Sequence, residues 1–228
     1  MSNNDTHFEL KNVTKTYGSG RDTVHALTGV SLTVNRGDQI SIQGPTGGGK
    51  STLLQLLGAL DVPTSGSVTF KGMDLSRASQ AELTRVRAEN IGFIFQNYNL
   101  VPTMTALENV QTALVPLRKE KRRAEDALRI LAQVGLDDRL DHLPAELSGG
   151  QQQRVAIARA LAKQPEVLLA DEPTGNLDED TRDEVMDLLK STASEHGITL
   201  LTVTHDSFVA ARFERHIHIH KGRLSEKS

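Results

Sequence analysis

Apolar and polar positions alternate in two periods along this chain. Phe8–Val13, Val30–Val34 and Val68–Phe70 follow a strand-like period of two and predict a small, partly antiparallel sheet, with Pro63-Thr64-Ser65-Gly66 as a turn. Gln39–Gln43 reads as a short buried strand that runs straight into a glycine-rich loop, and the helix after the loop carries Leu53, Leu54, Leu56 and Leu57. From Thr105 to Leu161 the period becomes helical and no strand stands out. Thr105-Ala-Leu-Glu108 is a capping box that opens one helix. Ala124, Leu128, Leu131 and Val134 are predicted as the apolar stripe of another, ended by Gly135. A second strand and helix pair follows: strand Val167–Ala170, helix Asp180–Ala193 closed near Gly197, and strand Thr199–Thr204. Ile217–Ile219 is a last strand before a Lys221-Gly222-Arg223 turn. Short strands alternating with helices predict an α/β fold with a mostly parallel sheet. There is no internal repeat and no low-complexity linker.

Composition narrows the function classes. The 228 residues suit one large domain, and the absence of cysteine excludes disulfides, thiolate metal sites and thiol catalysis. The 26 basic and 29 acidic residues leave a formal charge of −3, so no global pull toward nucleic acid or anionic lipid is expected. No run approaches the roughly 18–20 apolar residues of a membrane helix. The polar opening Met1-Ser-Asn-Asn-Asp-Thr-His lacks the basic-then-apolar pattern of a secretion signal. A soluble protein is expected, and membrane work would need spans from another chain. The run Lys119-Glu-Lys-Arg-Arg reads as an exposed helix start.

Candidate chemistry begins at Gly44-Pro45-Thr46-Gly47-Gly48-Gly49-Lys50-Ser51, which fits G-x-x-x-x-G-K-[ST] between a strand and a helix. Glycines let backbone N–H groups wrap phosphates, and the helix start at Ser51-Thr52 adds a positive dipole end. Lys50 is the residue to reach the β- and γ-phosphates, and the Ser51 hydroxyl is a Mg²⁺ ligand. Val167-Leu-Leu-Ala-Asp171-Glu172 is an apolar strand ending in two acids, which a purely structural strand would avoid. Asp171 is then expected in the magnesium shell, and Glu172 as the base that orients and deprotonates water. Ser148 is a good N-cap, and Gly149 and Gly150 leave N–H groups open at a helix start, a second anion site. His216, His218 and His220 share one strand face, which reads as solvated and not as a metal site.

Leu147-Ser148-Gly149-Gly150-Gln151, together with the two phosphate motifs, resembles the signature of ATP-binding-cassette (ABC) ATPases, and the match extends over nearly the whole chain. The resemblance implies a P-loop core with a small antiparallel β subdomain and an inserted helical subdomain at roughly 97–160, all within one domain, 1–228. It implies an ATP hydrolase that powers a membrane transporter, with ATP and Mg²⁺ as ligands. In its terms Tyr17 stacks on adenine, Gln96 senses magnesium and water, and Asp178 belongs to a dimer-contact loop. His205 is the switch histidine at the γ-phosphate, and Ser148–Gln151 docks on the γ-phosphate held by a second copy. The implied partners are a transmembrane permease and an ATP-dependent homodimer, at the cytoplasmic face of the inner membrane.

Gly175-Asn176-Leu177-Asp178 and Ala170-Asp-Glu-Pro-Thr174 look like the lipoprotein-releasing and macrolide-exporting subgroup. Where many relatives carry serine, the loop has Thr46 and Gly48, and both keep it small. Alternatives are a soluble cassette ATPase acting on a cofactor-assembly scaffold or DNA, or a signalling ATPase with a membrane partner. Near-neutral charge weighs against DNA.

Overall fold

The computed structural model describes residues 5–18, 20–117 and 123–227. The first four residues and positions 119–122 of the basic run, on which two sequence expectations fell, lie outside them. In chain order the elements are β1 (Thr6–Tyr17), β2 (Val24–Asn35), β3 (Gln39–Gln43), α1 (Lys50–Leu57), β4 (Ser65–Phe70), β5 (Met73–Asp74), α2 (Gln80–Asn90), β6 (Ile91–Phe95), α3 (Ala106–Thr112), α4 (Arg123–Gln133), α5 (Gly149–Leu161), β7 (Val167–Asp171), α6 (Glu179–His196), β8 (Thr199–Val203), α7 (Ser207–Ala210), β9 (Arg215–His220) and β10 (Arg223–Lys227). Their contacts divide the chain into two compact units, residues 1–87 with 199–228, and residues 88–198.

The first unit holds two groups of strands. β2, β1, β4 and β5 lie side by side in antiparallel order. Their alternation buries Phe8 and Leu10 of β1, Val30, Leu32 and Val34 of β2, and Val68 and Phe70 of β4, while Val13 is buried beyond a register shift in β1. β3 lies between β8 and β9, parallel to both, and β10 closes antiparallel on β9. Ile40, Ser41 and Ile42, like all five residues of β8, are fully buried, the pattern of strands covered on both faces. Helix α1 buries Leu53, Leu54, Leu56 and Leu57, each worth about 1.5–3 kcal/mol of transfer from water. That burial seats the start of α1 beyond the end of β3.

In the second unit β6 and β7 pair in parallel, and α5 packs on β6, α3, α4 and α6. The capping box at Thr105 is present: its hydroxyl accepts from the Glu108 N–H at 3.2 Å and the Glu108 carboxylate accepts from the Thr105 N–H at 2.8 Å. Gly197 ends α6 in the left-handed conformation, at φ 62°.

Three readings of the sequence shift. Ser65 and Gly66 belong to β4 and not to a turn, because the Thr14 to Lys11 stretch of β1 pairs with them. The buried stripe of α4 is Ala127, Ile130, Leu131 and Val134, while Ala124 and Leu128 are exposed. The predicted stripe lay one row off, since the helix turns Ile130 and Ala127 inward where the partner helices α3 and α5 lie. Strand β10 was not predicted, because Ser225-Glu226-Lys227 carries little apolar signal and is held by pairing with β9.

Candidate functional site

The phosphate-type loop of the first unit is built on crowding. Gly44 has φ 151° and a Cβ there would run into the Ile219 carbonyl; Gly49 has φ 107° and its Cβ would run into the Ala26 carbonyl. Only glycine fits both the angle and the space. The Gly48 N–H donates to the Pro45 carbonyl at 3.0 Å, and the Gly48 carbonyl accepts from the Gly222 N–H at 3.1 Å. Lys50, the first residue of α1, arches back over the loop and donates to the Gly44 and Pro45 carbonyls at 2.8 and 3.0 Å. Pro45, Thr46, Gly47 and Ser51 are exposed at the mouth of this loop, and Thr52 is half-buried behind it. The loop thus brings an ammonium group and a helix start together, two of the features that favour an anion.

His205 follows β8, and the Thr204 N–H donates to the Ile42 carbonyl at 3.1 Å, so the histidine emerges at the same end of the paired strands β3 and β8 as Gly44. The next residue, Asp206, accepts from the Phe208 and Val209 N–H groups and caps the short α7. Tyr17 ends β1 with 38% of its surface exposed. Its hydroxyl donates to the Asp61 carboxylate at 3.0 Å and reaches the Gln55 amide oxygen at 3.4 Å. His216 lies elsewhere on the sheet, with Nδ1 2.8 Å from the Ser41 hydroxyl; it and His218 are half-buried, so their strand face is more packed than the sequence suggested.

The second unit assembles the other candidates. The β6/β7 register sets Phe95 against Asp171, which brings Gln96 next to the Asp171-Glu172 pair at the end of the two strands. Glu172 has φ 51°, a left-handed conformation that a non-glycine residue holds at a cost of about 1–3 kcal/mol and that is commonest at functional sites. Asn176 ties two loops: its amide donates to the Gln96 carbonyl at 3.0 Å and accepts from the Gln96 amide at 3.4 Å. Arg159 of α5 donates to the Tyr98 and Asn99 carbonyls at 2.7 and 2.6 Å, fixing two consecutive left-handed residues beyond Gln96. Burial pulls the Arg159 guanidinium below its usual range.

Ser148 caps α5 in a full capping box with Gln151, whose side-chain oxygen accepts from the Ser148 N–H at 2.9 Å. Gly149 approaches Tyr98 and Leu177, and Gly150 is packed on Thr181, so the head of α5 lies against the head of α6. Asp178 caps α6, accepting from the Thr181 N–H at 3.0 Å and from its hydroxyl at 2.8 Å; those bonds hold its carboxyl below the usual range. Sequence reasoning gave no role to Lys15, Asp61 or Arg159, and used Asn176 only as a mark of the subgroup. Their bonds carry no local signal, since their partners stand 46 to 80 positions away.

A phosphate loop on one unit and an acid pair, glutamine loop and capped glycine helix on the other define a P-loop ATPase of mixed α/β architecture. The ABC transporter family matches residues 27–175. The ATP-binding protein YbbA of Escherichia coli K12 is 47% identical over 221 residues, 96% of this chain and 97% of that one. The lipoprotein-releasing system ATP-binding protein LolD of Geobacter metallireducens is 49% identical over 217 residues, 95% of this chain and 96% of that one. The macrolide export ATP-binding/permease protein MacB of Rhodopirellula baltica is 44% identical over 96% of this chain, which covers 32% of that longer protein. A solved structure of the cassette MJ0796, a dimer in a post-hydrolysis state with ADP and Pi, aligns with TM-score 0.89 and 44% identity over 97% of this chain and 98% of that one. The chain belongs to the ABC transporter family, as an ATP-binding subunit that hydrolyses ATP to power a transporter.

Proposed function

We propose that this subunit drives a transporter of the lipoprotein-releasing or macrolide-exporting type. The observation that supports this most directly is 49% identity to LolD over nearly the full length of both chains. In this reading residues 1–228 form one cassette with a helical subdomain at about 97–160. Lys50 neutralises charge on the transferring phosphoryl, backbone N–H groups of Gly44–Thr52 hold the phosphates, and Tyr17 stacks on the base. Glu172, held in its left-handed conformation, takes the proton of the attacking water, and His205 donates to the γ-phosphate. The residues read as Mg²⁺ ligands are Ser51 in the first unit and Gln96 and Asp171 in the second; each offers a hydroxyl, amide or carboxylate oxygen, the donor type Mg²⁺ takes, and the ion would offset charge on the β and γ oxygens. Ser148–Gln151 and Asp178 meet the nucleotide of a second copy, so two ATP molecules lie between two chains.

Among the described residues no helix is long and apolar enough to cross a membrane. In this reading, which rests on the likeness to LolD, the subunit works at the cytoplasmic face of the inner membrane through a permease. The contact surface in this reading is the segment near Gln96–Glu108, where Asn97, Tyr98, Leu100, Val101 and Met104 follow Gln96. Val101 is exposed, and Tyr98 and Met104 half-exposed. The chain lacks cysteine, so Tyr98→Cys or Met104→Cys gives a single crosslinking position without background. A crosslink to an integral membrane protein in native membranes is expected from both. Equal binding of the purified chain to protein-free lipid vesicles would defeat the permease-mediated attachment.

A further inference from the structure

Between β1 and the loop after α1 lies a charge pair that the phosphate chemistry leaves unused. The Lys15 ammonium donates to the Asp61 carboxylate at 2.6 Å and to the Val62 carbonyl at 2.8 Å, and its side chain is only 11% exposed. The same ammonium stands 4.9 Å from the centroid of the Tyr17 ring. The second Asp61 oxygen accepts from the Tyr17 hydroxyl at 3.0 Å, and the hydroxyl also reaches Gln55 of α1. Tyr17 is therefore held at its edge by a carboxylate and on one face by a cation. Its hydroxyl is tied to the helix that begins at Lys50. With Lys15 over one face, the other is the face that a base can cover.

We infer that Asp61 and Lys15 are positioning residues for the nucleotide base. They fix the plane of the Tyr17 ring and its distance from the phosphate loop, so that a purine joined to a triphosphate meets both at once. Pre-set geometry removes the ordering cost that a free tyrosine would bear on binding. The cation keeps the ring in place through its π-face, and Asp61 balances the cation so that no buried charge stands alone. Burial raises the Tyr17 phenol pKa, and the hydrogen bond to Asp61 raises it further. Burial by itself would raise the Asp61 carboxyl, but the bonds from Lys15, the Val62 N–H and Tyr17 bring it below the usual range. This inference rests on the reading of Tyr17 as the base-stacking residue.

The sign of the effect separates positioning from charge. Removing a carboxylate near a polyanionic nucleotide should tighten binding on electrostatics alone. Loss of the clamp should weaken it. Binding of ATP and of inorganic tripolyphosphate, which has no base, is measured by calorimetry on the full chain. For Asp61→Asn, ATP affinity is expected to fall about 3–10-fold, part of the full stacking contribution, with tripolyphosphate unchanged or tighter and KM raised at a retained kcat. The double variant Lys15→Met with Asp61→Asn carries no stranded charge and should show the same loss if the single variant folds poorly. Only Tyr17 and Tyr98 are tyrosines, so in a Tyr98→Phe background the phenolate absorbance reports Tyr17 alone. Its pKa should drop toward the ordinary value when Asp61 is replaced. If Tyr17→Ala weakens ATP while both Asp61 variants bind it as tightly as the parent, the positioning role is overturned. If Tyr17→Ala itself leaves ATP affinity unchanged, the stacking reading fails first, a result the Asp61 variants cannot mimic.

Discussion

Lys50 and Glu172 sit where their own backbones demand them, one at a helix start and one at a left-handed turn beyond a buried strand. Lys50→Ala removes the ammonium over the loop while leaving α1 a better helix former. Hydrolysis should vanish and ATP affinity fall sharply, a loss of about 3–4 kcal/mol of transition-state stabilisation for such a group, with an unchanged circular dichroism spectrum. Turnover within about tenfold of the parent would remove Lys50 from the phosphate site. Glu172→Gln keeps the shape and the strained backbone but removes the proposed base, so steady-state turnover should fall by about 10²–10⁴-fold with ATP still bound. At Gly44, alanine would combine an unfavourable φ with a clash on the Ile219 carbonyl, so Gly44→Ala should distort the loop and lower the melting temperature as well as activity.

Elements carry the site through their ends. α3, α5 and α6 all begin with a side-chain cap, at Thr105, Ser148 and Asp178. Thr105→Ala leaves the Glu108 N–H without its partner and should cost about 0.5–2 kcal/mol, read as a lower urea midpoint with an unchanged slope. Asp178 adds a pH dependence. The Thr181 backbone and side-chain bonds depress its folded pKa, so the unfolded chain binds a proton more readily. The stabilisation is therefore complete above the ordinary aspartate pKa and is lost as pH falls through the depressed folded value. Stability measured down the acid limb should fall less steeply in Asp178→Ala than in the parent, and parallel limbs would remove Asp178 from that linkage.

At the scale of the whole molecule, the proposed closure of Ser148–Gln151 and Asp178 on the nucleotide of a second copy predicts an assembly that follows nucleotide state. Glu172→Gln stalls hydrolysis, and a ligand that binds only the closed dimer draws the equilibrium toward it by mass action. Glu172→Gln should elute from size exclusion as a monomer without nucleotide and as a dimer with ATP. Adding Ser148→Arg should return the monomer, because a bulky side chain blocks the head of α5. A Glu172→Gln chain that stays monomeric in ATP would dismiss the trans site while leaving the base assignment intact.

The sequence alone determined β3 with its glycine loop, the capping box at Thr105, the N-cap at Ser148, the strand that ends in Asp171-Glu172 and the helix stop near Gly197. Each is written in neighbouring residues, where periodicity, capping chemistry and glycine's freedom act over a few positions. The tertiary structure decided what depends on distant partners. Leu128 matched the helical period yet faces solvent, because the position of α3 and α5 chose the neighbouring row of α4 for burial. β10 exists because β9 offers it a ladder. Lys15 meets Asp61 across 46 positions, and Arg159 meets Tyr98 across 61, and no local pattern encodes either pair. Hydrogen bonds of that kind form only after the core has brought the chain segments together, so they are properties of packing and not of sequence period.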